Sequence, residues 1–480
     1  MSGKVENCCA SGNGKTVNGY DLAVVGAGSA GFSAAITAAE EGAQVALIGQ
    51  GTIGGTCVNI GCVPSKTLIR AAETLHQAKA ARRFAGIEAG GRITDWRAVM
   101  ADKKALVEQL RQAKYIDVLP GYNSIAYREG PARLTASGVA VNGEAVKAGK
   151  TIITTGSSPS LPPIPGIGRV PYLTSTTALE LERLPKSLMV IGGGVIGCEL
   201  GQMFARMGTE VTILCRSRLL PDEEPEIGEV LKLSFAAEGI SVLTGVAYKA
   251  IRQDGAVHLD YEKDGAAHRL AAERILIAAG RRPNTAGLGL EELGIALLAN
   301  GGIKVDDRMR TTRPGVYAAG DVTGRDMFVY MAAHGAKIAA LNALNGDDRR
   351  YDDRAIPEVV FTDPQAASVG LTEAEAREER FDVVATVLDL GHLPRALAAR
   401  DIRGLIKLVA EKGTKRLLGA HILAPEGADS IQTAALAIKQ GLTYDALSEM
   451  IFPYLTTVEG LKLAAQTFDK DVSKLSCCAG

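Results

Sequence analysis

The 480-residue sequence predicts an α/β fold with two dinucleotide-binding modules and a C-terminal module of mixed helices and strands. Three observations lead there. Glycine supplies 55 residues and aromatics only 5%, which favours many tight strand-to-helix turns over a bulky aromatic core. A glycine fingerprint follows a short apolar run at Gly26 and again at Gly192. Beyond residue 350, Glu358–Phe361, Phe381–Val387 and Leu405–Val409 read as strands, and 429–450 and 456–467 as helices, with an apolar surface suited to oligomerisation.

A chain of this length divides into several domains. The expected segments are a tail at 1–19, a first nucleotide segment at 20–160, a second nucleotide domain at 161–285, a return segment at 286–350, and the last module at 351–480. Pro159, Pro162, Pro163 and Pro165 break the chain before the second nucleotide unit. Composition narrows the function. With 54 acidic residues against 53 Lys and Arg, no global positive excess exists to hold nucleic acid. Residues 1–19 lack the apolar stretch of a secretory signal, and no run approaches the roughly 20 apolar residues of a membrane span. Eight cysteines are too few for a secreted disulfide scaffold, and the six histidines are dispersed. The expectation is a soluble cytoplasmic enzyme.

The first module opens with the strand Asp21–Val25, then Gly26-Ala-Gly28-Ser-Ala-Gly31, a helix over 30–40 and a strand over 45–48. This is the setting of a Rossmann-like dinucleotide turn. Gly26 allows the turn, Gly28 lets the backbone approach a pyrophosphate, and Gly31 lets the helix pack closely. The phosphates would lie at the positive helix end. The carboxylate that commonly binds the adenosine ribose is missing, since Ile48-Gly49-Gln50 stands there.

The second module repeats the pattern with the strand Ser187–Ile191, Gly192-Gly-Gly194-Val-Ile-Gly197, and the strand Glu210–Leu214. Arg216 and Arg218 follow that strand in place of an acid. They suit a 2′-phosphate and so favour NADPH over NADH; the competing reading is two surface arginines beside a loop. Two fingerprints imply two different dinucleotides, and FAD with NADPH would form an electron path.

Soon after the first module's second strand comes Gly54-Gly-Thr-Cys57-Val-Asn-Ile-Gly-Cys62-Val-Pro-Ser-Lys66, leading into a helix over 64–79, with Thr56 a candidate cap for an earlier start. In an ideal helix positions 57 and 62 stand about 8.7 Å apart, beyond the roughly 7 Å that a disulfide spans. A redox pair here needs a distorted turn, which Gly61 and Pro64 can supply. A thiolate near a helix start and Lys66 is electrostatically favoured. Zinc would require further ligands, and none is near in sequence. Buried structural cysteines are the alternative.

This segment resembles the active-site stretch of the flavin-dependent pyridine nucleotide-disulfide oxidoreductases. The resemblance continues in Thr154-Thr155-Gly156, in Ala279-Gly280-Arg281-Arg282-Pro283-Asn284, and in Gly315-Val-Tyr-Ala-Ala-Gly320-Asp321, covering roughly residues 20 to 480. It implies that Cys57 is the outer, interchange thiol and Cys62 faces the flavin. It further implies a Lys66–Glu199 ion pair near the flavin, Asp321 at its ribityl chain, and Gly54, Thr56, Gly156 and Gly280 among the cofactor-binding residues. The last module becomes a dimerisation domain and the protein a homodimer with active sites formed across subunits.

The C-terminal Cys477-Cys478 pair has Cα atoms about 3.8 Å apart, too close for an unstrained disulfide, but two thiols can collect a soft metal ion. Together with Phe452-Pro453-Tyr454-Leu455-Thr-Thr-Val-Glu459-Gly460, this tail resembles the mercuric-ion-reducing members of the family. Relatives acting on disulfides carry His-Pro where Tyr454-Leu455 stands, and Glu459 remains. A tyrosine, with an ordinary pKa near 10, replaces a residue that exchanges protons at neutral pH. The resemblance implies metal capture from small thiols by Cys477 and Cys478, transfer to Cys57 and Cys62 of the other subunit, and roles for Tyr454 and Tyr115. Disulfide reduction and soft-metal binding without turnover are the competing functions. Cys8-Cys9 receives no firm role, Cys198 and Cys215 read as packing residues, and Trp96 and the histidines carry no site.

Overall fold

The computed structural model describes residues 19–472, so Cys8, Cys9, Cys477 and Cys478 lie outside the described residues. The chain forms two compact units. Of the described residues, one contains 19–55, Lys114–Gly156 and Pro283–Tyr351; the other contains Thr56–Ala113, Ser157–Arg282 and 352–472.

The first unit is built on a sheet with the strands in the order Ile125–Glu129, Val45–Gly49, Tyr20–Val25 and Glu144–Ile153, with Val316–Ala318 also pairing with Glu144–Ile153. These pairs are parallel, and Val25 lies opposite both Ile48 and Ile153. The carboxyl ends therefore meet at Gly26, where open α/β sheets place ligands. Helix α1, Ser29–Glu40, packs on Val329–Asn345, and Ala34, Ala35, Ala38, Ala336, Ala339 and Ala340 share one buried core. Methyl-sized side chains on both faces let the two helices approach closely.

In the second unit, α2 (Gly55–Ile60) and α3 (Cys62–Ala80) carry the central cysteines; α2 starts one residue before the unit's boundary. A four-stranded parallel sheet runs Ser241–Leu243, Glu210–Leu214, Ser187–Ile191, Arg274–Ile277, and helix α4, Val195–Arg206, follows its glycine turn. Residues 247–272 form an antiparallel three-stranded sheet that the sequence did not lead us to expect. Its middle strand alternates, burying Val257, Leu259 and Tyr261.

The C-terminal part is a five-stranded antiparallel sheet ordered Glu358–Val360, Gln365–Gly370, Leu417–Ala424, Leu405–Glu411, Val383–Asp389. Leu417–Ala424 is buried along its whole length, so it has no alternation to announce it. The expected helix over 429–450 is two helices, Gly427–Lys439 and Tyr444–Glu449. Gly441, at φ +66°, ends the first, and the Thr443 side chain caps the second. Ile406, Leu408, Ile422 and Leu461 form the core between sheet and helices, each worth about 1.5–3 kcal/mol on full burial. No described helix is long and apolar enough to cross a membrane.

Candidate redox site and dinucleotide cradles

Both glycine turns follow one rule. A Cβ on Gly26 would sit 2.3 Å from the Thr154 carbonyl oxygen, and one on Gly31 would strike the Gly26 carbonyl oxygen. In the second turn a Cβ on Gly192 would lie 2.3 Å from the Ala278 oxygen, and one on Gly197 would overlap the Gly192 oxygen. The outer glycines are thus demanded by protein packing. The middle ones are not: Gly28 would meet only the Gly55 Cα at 3.5 Å, and Gly194 would meet nothing within 4 Å. Protein packing gives no reason for glycine there, whereas a pyrophosphate approaching the helix N-terminus does. The residues fit a dinucleotide at each turn.

Details around the first turn support that cradle. The Gly54 amide donates to the Ala27 carbonyl at 2.9 Å, binding the start of the cysteine segment to the turn. Thr155 and Asn284 exchange side-chain and backbone hydrogen bonds at 2.7 and 2.9 Å, and the Asn284 amide donates to Gly156, which has φ +72°. Asp321 opens a short 3-10 turn after Gly320. The missing acid at Gly49 has a physical reason. A Cβ there would lie 2.6 Å from the Tyr127 hydroxyl and 2.8 Å from the Ala27 Cβ, so Tyr127 occupies the space.

The central cysteines sit across a helix break. α2 stops at Ile60 and α3 begins at Cys62, with Gly61 between them at φ −128° and ψ −110°. This is the distortion that the spacing required. Both thiols are unoxidised and half-buried. The Cys57 S–H donates to Cys62, which pulls Cys62 down to about 7; burial opposes this, Lys66 favours it, and Glu199 opposes it. The same hydrogen bond, together with burial and the Cys62 charge, pushes Cys57 well above the ordinary thiol range. The pair is therefore asymmetric, the thiolate favoured at Cys62 and the thiol at Cys57.

Lys66, one turn into α3, places its Nζ 2.7 Å from Glu199 Oε2, and Glu199 on α4 is nearly buried at 4% exposed. Glu199 Oε1 accepts from the Phe361 amide at 2.9 Å, and the Phe361 ring lies under the Lys66 ammonium, 4.9 Å from ring centroid to Nζ. Along the same face of α4, Gln202 bonds both the amide and carbonyl of Asp363 at 2.8 Å, and Arg206 reaches the Asp363 carboxylate at 2.9 Å. Gln202, Arg206, Phe361 and Asp363 were not anticipated from sequence. The spacing of Glu199, Gln202 and Arg206 was a usable signal, since three polar residues at i, i+3 and i+7 share one helix face. Phe361 gave none. A cavity of about 400 Å³ has Lys66, Arg70, Phe361, Asp363, Arg395 and Thr457 among its lining, but neither cysteine.

The structure thus brings Cys57, Cys62, Lys66 and Glu199 together. Tyr115 belongs to the first unit, in a π-helical turn over Gln112–Ile116, with its hydroxyl 3.2 Å from Ser29 Oγ and its ring edge-on to Phe32. Tyr454 is 55% exposed, and the following Leu455 amide donates to Glu459 at 3.0 Å. Arg218 donates to the carbonyls of Leu220, Pro221 and Glu223, which commits it to its own loop, whereas Arg216 is exposed. Cys198 and Cys215 are buried in the core of the second nucleotide module. Among the described residues no group of three or more His, Cys, Asp or Glu side chains is arranged to hold a metal ion.

The chain is similar to known proteins in sequence and fold. The family model described as pyridine nucleotide-disulphide oxidoreductase matches residues 20–337, and the dimerisation-domain model of that family matches residues 356–465. A mercuric reductase of Streptomyces lividans is 47% identical over 96% of this chain and 99% of its own length. One from Lysinibacillus sphaericus is 44% identical over 100% of this chain and 88% of its own. Among solved structures, the Cu(II) complex of the HOCl-induced flavoprotein disulfide reductase RclA from Escherichia coli is 33% identical, with a TM-score of 0.83, covering 94% of this chain and 100% of that one.

Proposed function

This chain belongs to the pyridine nucleotide-disulphide oxidoreductase family and carries its dimerisation domain, and on that premise we propose that it reduces mercuric ion to elemental mercury with electrons from NADPH by way of FAD, in mercury detoxification. The observation that carries the reading is the asymmetric Cys57–Cys62 pair beside Lys66, in a chain similar over nearly its whole length to mercuric reductases of Streptomyces lividans and Lysinibacillus sphaericus. FAD, when bound, supplies the two-electron link between the nicotinamide and the sulfur-held metal.

The protein's own residues do the rest. Cys62, drawn toward its thiolate form, and Cys57 take the mercuric ion by ligand exchange: each new sulfur bond replaces one to a delivering thiolate, which departs, and the Cys57 proton passes to solvent. Two soft sulfur donors suit a soft ion. Lys66 offsets the negative charge at Cys62 while Glu199 holds Lys66 in place. The middle glycines, Gly28 and Gly194, leave room for the dinucleotides at the two helix N-termini, and Arg216 takes the 2′-phosphate that selects NADPH. Cys477 and Cys478, outside the described residues, collect the ion from small thiol complexes and hand it to Cys57 and Cys62 of the other subunit. Their adjacency gives the second sulfur a high effective concentration for the second metal bond. Tyr454 and Tyr115 attend that transfer without a proton-exchanging imidazole, because no organic thiol must be protonated as it departs.

The test is an anaerobic assay with NADPH, excess small thiol and mercuric ion, following volatile mercury and NADPH loss together. Stoichiometric appearance of elemental mercury is expected. Rapid disulfide reduction without metal-dependent turnover would instead make the chain a disulfide reductase. Metal uptake without NADPH consumption would make it a binding protein.

A further inference from the structure

The Lys66–Glu199 pair has a weakness built into it. Its two opposite charges lie 2.7 Å apart, so the pair favours a negative sulfur only while the ammonium stays in place. Lysine carries its charge on a flexible four-carbon stem, and a single carboxylate fixes one distance without restricting the stem to one side. Lys66 is also about a third exposed, with solvent available to compete for it.

Phe361 supplies the missing constraint. Its ring lies against the ammonium at 4.9 Å, while its own amide donates to the Glu199 oxygen that Lys66 does not use. One residue thus touches both partners, the cation through its ring and the carboxylate through its backbone. The residue is itself fixed. Two positions on, Asp363 is held by both polar ends of Gln202, by Arg206, and by Arg403 at 3.1 Å. Gln202 and Arg206 are both buried. The face of α4 that presents Glu199 therefore also anchors the segment that presents the ring.

We propose that Phe361 is a positioning residue of the redox site, whose aromatic face confines the Lys66 ammonium between itself and Glu199 and so keeps the cation on the side of Cys62. This deepens the redox role given to the Cys57–Cys62 pair, but it is tested without any metal, so the two readings fail separately.

The experiment uses reduced, FAD-loaded enzyme in a Cys57→Ser background, where the hydroxyl still donates to Cys62 and only Cys62 of the pair can react. Iodoacetamide alkylation of Cys62 is followed at fixed neutral pH by peptide mapping. Phe361→Leu keeps the amide to Glu199 and removes the ring; the rate is expected to fall about twofold to fivefold, the range of a cation–π contact. Phe361→Tyr, which keeps the ring, is expected to retain the parent rate. An unchanged rate in Phe361→Leu overturns the proposal. An equal fall in Phe361→Leu and Phe361→Tyr overturns it too, since that is a packing effect. If Phe361→Leu folds poorly, Phe361→Met removes the ring with less change of volume and is read the same way.

Discussion

Cys62 and Cys198 occupy closely similar places with opposite results. Each lies in the first turn of a helix that follows a glycine, Cys62 as the first residue of α3 and Cys198 as the fourth of α4. Exposed amides at a helix start favour an anion at both. Cys62 is drawn down to about 7, whereas burial pushes Cys198 far above the usual thiol range, and Cys215 beside it is pushed up to about 11. The helix terminus does not decide the matter. Cys62 accepts an S–H bond and has Lys66 nearby. Cys198 is fully buried, donates its own S–H to the Gly193 carbonyl at 3.3 Å, and has the Glu199 charge without a compensating cation. Glu199 opposes the thiolate in both cases, and Lys66 offsets it in only one. A dedicated donor and a held cation make a thiolate; position alone does not.

The sharpest way to break this comparison is Cys62→Ser. A serine hydroxyl is neither ionised at neutral pH nor a soft donor, so mercuric-ion-dependent NADPH oxidation is expected to fall by at least about a thousandfold, with the fold intact by circular dichroism. If a tenth of the turnover survives, the pair is not the site of reduction.

The same contrast shows what was legible in sequence. The strands Ser187–Ile191 and Glu210–Leu214, the glycine turns and the need for a break between Cys57 and Cys62 could be read because each follows from short-range geometry. The antiparallel sheet over 247–272 and the buried strand Leu417–Ala424 were missed, the first among exposed charged residues, the second for lack of alternation. Within the site, Lys66–Glu199 was found through family resemblance. Phe361 was not, because it meets Lys66 across nearly 300 positions through a ring contact that no spacing encodes. Gly49 is the converse case. Its departure from the acidic pattern looked like a loss for the ribose contact, and the Tyr127 ring and the Ala27 Cβ explain it.

The second prediction takes the cation from the favoured thiol. In Lys66→Met the Glu199 charge stays, so the electrostatic surroundings of Cys62 come to resemble those of Cys198. The parent thiolate has its midpoint at about 7. Acidification through that pH protonates Cys62 and slows its alkylation; above it the rate levels off. Removing Lys66 moves the midpoint upward, so the variant is slowest relative to the parent near and below pH 7 and catches up in alkaline solution. A fall of about fivefold at pH 7, approaching tenfold well below it, is expected for a shift of about one unit. Adding Glu199→Gln to Lys66→Met is expected to recover part of the rate. A rate–pH curve that does not move with Lys66→Met would leave the Cys57 hydrogen bond as the whole cause.

The smallest effect is expected on the other side of the comparison. Cys198→Ala removes a sulfur that is wholly enclosed and hydrogen-bonded to the Gly193 carbonyl. Its Cβ stays, and its neighbours Leu188, Val190, Phe204 and Leu219 belong to the same core, so the cost is a small cavity and one weak hydrogen bond. That is about 1 kcal/mol of stability, visible as a lower melting temperature. Gly193 lies inside the second glycine turn, so a modest rise in the KM for NADPH should accompany it, with kcat within about twofold of the parent because no sulfur of the reaction has been touched. Alkylation of the folded parent should spare Cys198 while Cys62 reacts. Were Cys198 to react as fast as Cys62, or its alanine variant to lose metal turnover, burial would not be what keeps this thiol out of the chemistry, and the distinction between the two helix starts would have to be drawn elsewhere.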